Sequence, residues 1–355
     1  MKITSTTATA MVLVLAAGQM AQAGDTLRLL TWGGYAPEEV IALFEAESGH
    51  TVDVTLSNNE EMIAKLRATA GGGFDLAQPS QDRIAGPQAE FGIYKPMDLT
   101  QIDDAQFITS MLDATKANTT VDGEIYGVPH VWGTSGLVLD TAAAGSVQDY
   151  TDLCSDDVAG KVSYRLKRPT LIGFAFAMGL DPFAAYGDEA AYTEIMGQVE
   201  AKLIDCKPNV KTYWGGGDEL MNLIRSGEVV ASMAWDTGGW KLNGEMSDVT
   251  FVAPASGALG WIDTFVLPAK GRADEAAYDW INFVMRPEIS AMITNGAGNF
   301  TASNGADEFV NDELKAKYQG SFSAAAVDNI KWYPPVPAGL ETIEGGVLDR
   351  VKAAN

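Results

Sequence analysis

Residues 26–56 read TLRLLTWGGYAPEEVIALFEAESGHTVDVTL. Thr26 to Trp32 is an apolar run of strand length, stopped by Gly33-Gly34. Pro37 then opens a helix in which Val40, Ile41 and Phe44 recur at helical spacing, and Gly49 closes it. Thr51 to Leu56 alternates as a second strand. Working outward, Glu60 to Ala70 predicts a helix with Met62, Ile63 and Leu66 on one face, stopped by Gly71-Gly72-Gly73. Phe74 to Pro79 predicts a third strand that runs into Ser80. A β-α-β-α-β series of this kind makes a parallel, doubly wound sheet with helices on both faces. Further strands are expected at residues 136–139, 162–164, 229–234 and 264–267, and Pro287 opens a new helix after Met285. No repeat, low-complexity linker or long charge run interrupts the pattern, so a compact α/β chain of two lobes is expected.

Composition narrows the function. The 355 residues carry 24 Lys+Arg against 47 Asp+Glu, a net charge of −23, which repels phosphate backbones and excludes nucleic acid as a partner. Two histidines, His50 and His130, cannot build a multi-histidine metal site, and two cysteines cannot hold a zinc cluster. No phosphate-binding glycine loop or Gly-x-Ser-x-Gly elbow occurs, so neither a cofactor nor a metal is expected.

The N-terminus carries an address. Lys2, an apolar run from Ala10 to Ala17 and the small-x-small pattern Ala21-Gln22-Ala23 predict a signal peptide over residues 1–23. The run is too short for a permanent membrane span. Export to an oxidising compartment makes Cys154–Cys206 the expected disulfide, which would restrain the unfolded chain by about 4 kcal/mol.

Candidate binding residues cluster where strands end, the place where open α/β sheets hold ligands. Trp32 and Tyr35 follow the first strand, and Ser80 and Gln81 follow the third. Trp132 precedes the strand at 136–139, Trp214 precedes the triplet Gly215-Gly216-Gly217, Trp235-Asp236 follows the strand at 229–234, and Trp261 and Asp263 precede the one at 264–267. A lone tryptophan more often packs a core. Five at strand ends, with two carboxylates beside them, point to a cleft for a cationic amine, since each cation–π contact contributes roughly 0.5–2 kcal/mol. Asp236 and Asp263 also leave open an acid/base pair for a secreted hydrolase.

Six ordered segments carry a resemblance. They are Thr31-Trp32-Gly33-Gly34-Tyr35, Pro79-Ser80, Tyr126 to Gly133, Gly227 to Trp235, Gly260-Trp261-Ile262-Asp263-Thr264 and Tyr278 to Glu288. Together they resemble the periplasmic spermidine/putrescine-binding proteins of ABC importers over nearly the whole mature chain. The resemblance implies a two-lobed periplasmic-binding-protein fold, each lobe a mostly parallel sheet flanked by helices. Residues 24–135 with 264–308 would form the first lobe and 136–263 with 309–355 the second, crossing near 135–138, 259–264 and 305–312. It further implies a monomer, exported to the periplasm, that closes on a small amine and presents it to an inner-membrane permease. By position, Trp32, Tyr35 and Ser80 match first-lobe contacts. Trp235 and Trp261 match the aromatic walls, Asp263 matches the carboxylate that holds an amine, and Tyr333 falls near a family glutamine.

The departures lie at the other end of the ligand. Where the family offers two acids after the strand at 162–164, this chain reads Arg165-Leu166-Lys167-Arg168-Pro169-Thr170. Asn299 replaces a family aromatic, and Asp236 stands where the family has a short polar residue. Arg165 and Lys167 therefore either face solvent, leaving a polyamine site, or meet a carboxylate or phosphonate on a zwitterionic amine such as an amino acid, a betaine or an aminophosphonate.

Overall fold

The computed structural model describes residues 24–354, so the expected signal peptide lies outside the described residues. The main path of the sheet runs Thr51–Leu56, Thr26–Thr31, Leu76–Ala77, Leu259–Pro268, Gly127–Asp140, Ala231–Trp235, Val162–Tyr164 and Val210–Tyr213. Its first three strands are parallel, with Thr26 opposite Thr51 and Leu29 opposite Leu76. Its last three are parallel as well. Between these wings the two longest strands, Gly127–Asp140 and Leu259–Pro268, pair antiparallel.

The first wing forms as its periodicity predicts. Leu27, Leu29 and Leu30 are buried on the strand Thr26–Thr31. Pro37 sets the entry of the helix Glu38–Ser48, and Gly49, at φ 76°, ends it with its N–H on the Glu45 carbonyl. The helix turns Phe44 edge-on to Trp280, ring centroids 5.1 Å apart, a burial that contributes roughly 1.5–3 kcal/mol. Behind the sheet, Asp75 accepts from Arg28 Nε and Nη2, both at 2.7 Å, and from the Arg272 N–H at 2.8 Å. Burial opposes its charge, but the Arg28 guanidinium and these N–H groups outweigh burial and hold the carboxyl at about 2.

The buried apolar side chains fall into two pairs of clusters. One pair draws on residues 27–128 and 265–302. The other draws on 137–259 and 310–351, joined by Ala291. The described chain thus begins with a strand in one core, and its last helix, Leu340–Ala353, buries Leu340, Val347 and Val351 in the other. Both long strands contribute to both cores, Val128 and Leu137 from one, Phe265 and Leu259 from the other.

The largest departures from the expected boundaries fall on three strands. The third strand shrinks to Leu76–Ala77, while the strands expected at 136–139 and 264–267 lengthen to Gly127–Asp140 and Leu259–Pro268. Gly133 and Gly136 each admit a neighbouring ring. A Cβ on Gly133 would lie 2.5 Å from Trp261, and one on Gly136 would lie 2.6 Å from Phe251. The ladder steps between Asp263 and Thr264, whose partners are Val131 and Pro129, so His130 is passed over as a bulge. Cys154 and Cys206 are bonded, tying a short turn to the end of the helix Glu189–Asp205.

Candidate ligand-binding cleft

A cleft of about 590 Å³ opens between the two sets of cores. It is lined by Trp32, Tyr35, Ser80, Arg165, Lys167, Trp235, Trp261, Asp263, Asn299 and Tyr333, ten of the thirteen residues singled out from the sequence. Most follow strand ends: Trp32 after Thr31, Ser80 after Ala77, Arg165 after Tyr164, and Trp235 closing Ala231–Trp235. Trp261 and Asp263 instead lie inside a long strand. They alternate with Ile262, so both face the cleft.

Asp263 is 3 % exposed and accepts from Tyr35 Oη at 2.6 Å and Ser80 Oγ at 2.5 Å. Asn59 Nδ2 donates to the same Ser80 hydroxyl, which fixes its proton on the carboxylate. Burial pushes the Asp263 carboxyl up to about 7, against the pull of these two hydroxyls. No Lys or Arg among the described residues pairs with it. Behind Tyr35 lies His130, its ring 5.6 Å away and edge-on. Burial drives that imidazole down to about 3, so it is neutral, with Nδ1 on the Gln78 amide and Nε2 without a partner. His130 is therefore a buried, neutral residue of the strand Gly127–Asp140.

Three candidates lie off the lining. Trp132 pairs with Ile262, on the opposite face of the ladder from Gly133 and Trp261. Its ring stacks on Phe300 at 5.7 Å and its Nε1 donates to the Thr301 carbonyl. Gln81 enters a buried turn, where its Oε1 accepts from Thr115 Oγ1. Asp236 opens the helix Asp236–Glu245 and accepts from the Thr134 N–H, Thr134 Oγ1 and the Thr237 N–H at 2.7–2.9 Å. Burial raises its carboxyl to about 6 against those donors. Its work is to hold the helix start against the long strand.

The same lining includes residues outside those thirteen. Glu60 follows the strand Thr51–Leu56, and Gly215 to Gly217 follow Val210–Tyr213. Trp214 supports Trp235 edge-on at 5.2 Å. The strand-end rule, applied to Thr51–Leu56 as well, points to Glu60, while Trp214 before its glycine triplet already stands among the strand-end tryptophans.

A family model described as bacterial extracellular solute-binding protein matches residues 39–319. The spermidine/putrescine-binding periplasmic protein 1 of Haemophilus influenzae is 27 % identical over 330 residues, covering 91 % of this chain and 88 % of the relative. The spermidine/putrescine-binding periplasmic protein of Escherichia coli is 26 % identical over 344 residues, covering 93 % of each. A solved structure of a putative spermidine/putrescine ABC transporter from Listeria monocytogenes superposes with a TM-score of 0.80 at 20 % identity, covering 93 % of this chain and 99 % of that one.

Proposed function

The chain belongs to the bacterial extracellular solute-binding proteins, and from that premise we propose that it captures an aliphatic amine of the polyamine class and delivers it to an ABC permease. The observation that carries this reading is Asp263, a buried carboxylate at the cleft wall with two hydroxyl donors and no cation of its own among the described residues. An ammonium group supplies the missing charge, and Trp261, seated against Gly133, offers its face to the methylenes beside it. The relatives named for spermidine and putrescine support the same class.

The mechanism is closure. Ligand that bridges both lobes stabilises the closed state by its differential affinity for that state. We place the lobes at 24–135 with 264–308 and at 136–263 with 309–355, which follows the division of the apolar clusters. The long strands that enter both cores are then the hinge. No helix among the described residues is long and apolar enough to cross a membrane. Export through the 1–23 leader to the periplasm, and action there as a monomer, complete the proposal.

Covalent chemistry has little support. The acid/base pair that a hydrolase needs would be Asp236 and Asp263, and Asp236 is engaged by three donors away from the cleft. A thermal-shift screen and titration calorimetry with putrescine, cadaverine and spermidine test the proposal. Saturable binding that returns the amine unchanged is expected. Absence of any shift with millimolar amines would overturn it, because mass action makes even micromolar affinity visible there.

A further inference from the structure

The cleft holds a second charged group that the amine reading leaves without a role. The Arg165 guanidinium lies over two rings, 5.2 Å from the centroid of Trp235 and 5.5 Å from that of Trp214. Its Nε is buried and donates to nothing. Of the other cations of the lining, Arg83 pairs with Glu341 and Arg168 lies between Asp82 and Glu344, while Lys241, like Arg165, has no carboxylate within 4.0 Å among the described residues. Among the described residues, no carboxylate comes within 4.0 Å of Arg165 or of Lys167 beside it. In a chain with 47 acids against 24 basic residues, a half-buried arginine without a partner is out of keeping with the charge balance. Burial pulls its proton affinity down, and Glu60, the acid whose charge acts on it, offsets only part of that. The two tryptophan faces hold the guanidinium in place, and its planar fork suits bidentate bonds to a carboxylate or phosphonate.

We propose that Arg165 and Lys167 form an anion subsite, so that the preferred solute is an aliphatic amine with a carboxylate or phosphonate at its other end. The proposal rests on amine capture at Asp263 and exchanges a diamine's second ammonium for an anion. The two interactions then occupy different residues of one cleft, and chain length between the charges sets the fit.

Titration calorimetry on the full chain compares γ-aminobutyrate, 5-aminovalerate and 3-aminopropylphosphonate with putrescine and cadaverine, using butyrate as the amine-free control. At least one bifunctional ligand is expected to bind tenfold or more tightly than either diamine. Arg165→Gln should weaken that ligand ten- to a hundredfold and leave diamine affinity unchanged or improved. Arg165→Lys should recover part of the loss, which separates a charge role from a folding defect. Glu60→Gln should leave the bifunctional ligand bound or tighten it. Diamines that bind best, with Arg165→Gln without effect, would overturn the subsite and leave amine capture standing. Butyrate that binds as tightly as γ-aminobutyrate, and equally in Asp263→Asn, would keep the subsite and overturn amine capture. A panel without binding of either class would overturn both.

Discussion

Asp263→Asn should make the empty protein more stable while removing its amine binding. The carboxyl rises from an ordinary value of 3.8 to about 7 because it is buried without a cation. Each pH unit corresponds to about 1.4 kcal/mol, so the ionised group destabilises the empty protein by about 4 kcal/mol above pH 7. The sign follows from proton counting. Between pH 4 and 7 the folded state holds a proton that the unfolded chain has lost, so stability falls as pH rises through that window. Asparagine keeps an acceptor for one of the two hydroxyls, turns its NH2 toward the oxygen of the other, and has no charge to bury. In thermal melts, the variant should exceed wild type by on the order of 5 °C at pH 8, with the gap closing toward pH 4. Asp236, raised to about 6, titrates alike in both proteins and drops out of the difference. An added amine should raise the wild-type melting temperature at pH 8 and leave the variant unmoved, since truncating one partner of a buried charge pair removes about 2–5 kcal/mol of affinity. Parallel pH curves for the two proteins, or a variant that still binds amine, would refute the reasoning.

Other outcomes follow from the same geometry. Gly133→Ala would drive a methyl into Trp261, a clash that costs about 1–3 kcal/mol and displaces the aromatic wall; calorimetry should show amine affinity reduced tenfold or more. Trp261→Ala should weaken binding and abolish whatever part of the ligand-dependent tryptophan fluorescence that residue reports, whereas a variant with full affinity would make it a packing residue. Arg28→Met should lose about 1–2 kcal/mol at neutral pH, after allowance for the partial exposure of Arg28. Because Asp75 is held at about 2, that contribution is present above pH 4 and is lost as pH falls through 2, which acid titration followed by circular dichroism measures. Replacing Cys154 and Cys206 together by alanine should reduce stability to denaturant by about 4 kcal/mol and leave ligand affinity intact, since the bridge lies in one lobe's core.

The parallel wing was legible because its two periodicities are clean: alternation in Thr51–Leu56, and Val40 and Phe44 one turn apart on the helix that follows Pro37. The two long central strands were not, because Pro129, Gly133 and Gly136 carry the composition of a loop. Their smallness serves rings brought in from residues 251 and 261, and no local window contains that information. The site shows the same division. Trp32, Ser80, Trp235 and Asp263 were readable from their places beside strands, and Arg165 came with the comparison to the family pattern. Trp132 and Trp261 could not be told apart from sequence, since which face each takes depends on the register between two strands more than a hundred residues apart. Asp236 beside Trp235 has the look of a ligand group, and only the long strand's Thr134 shows why an acid stands there.

The first strand sits in one core and the last helix in the other, so the molecule carries its own caliper. A donor dye near residue 24 and an acceptor after the helix Leu340–Ala353 ride on separate bodies, and their separation is a reading of the cleft taken from outside it. Such a pair leaves every lining residue untouched. It would report closure in the wild-type protein, one molecule at a time, and would tell a solute that merely occupies the cleft from one that shuts it.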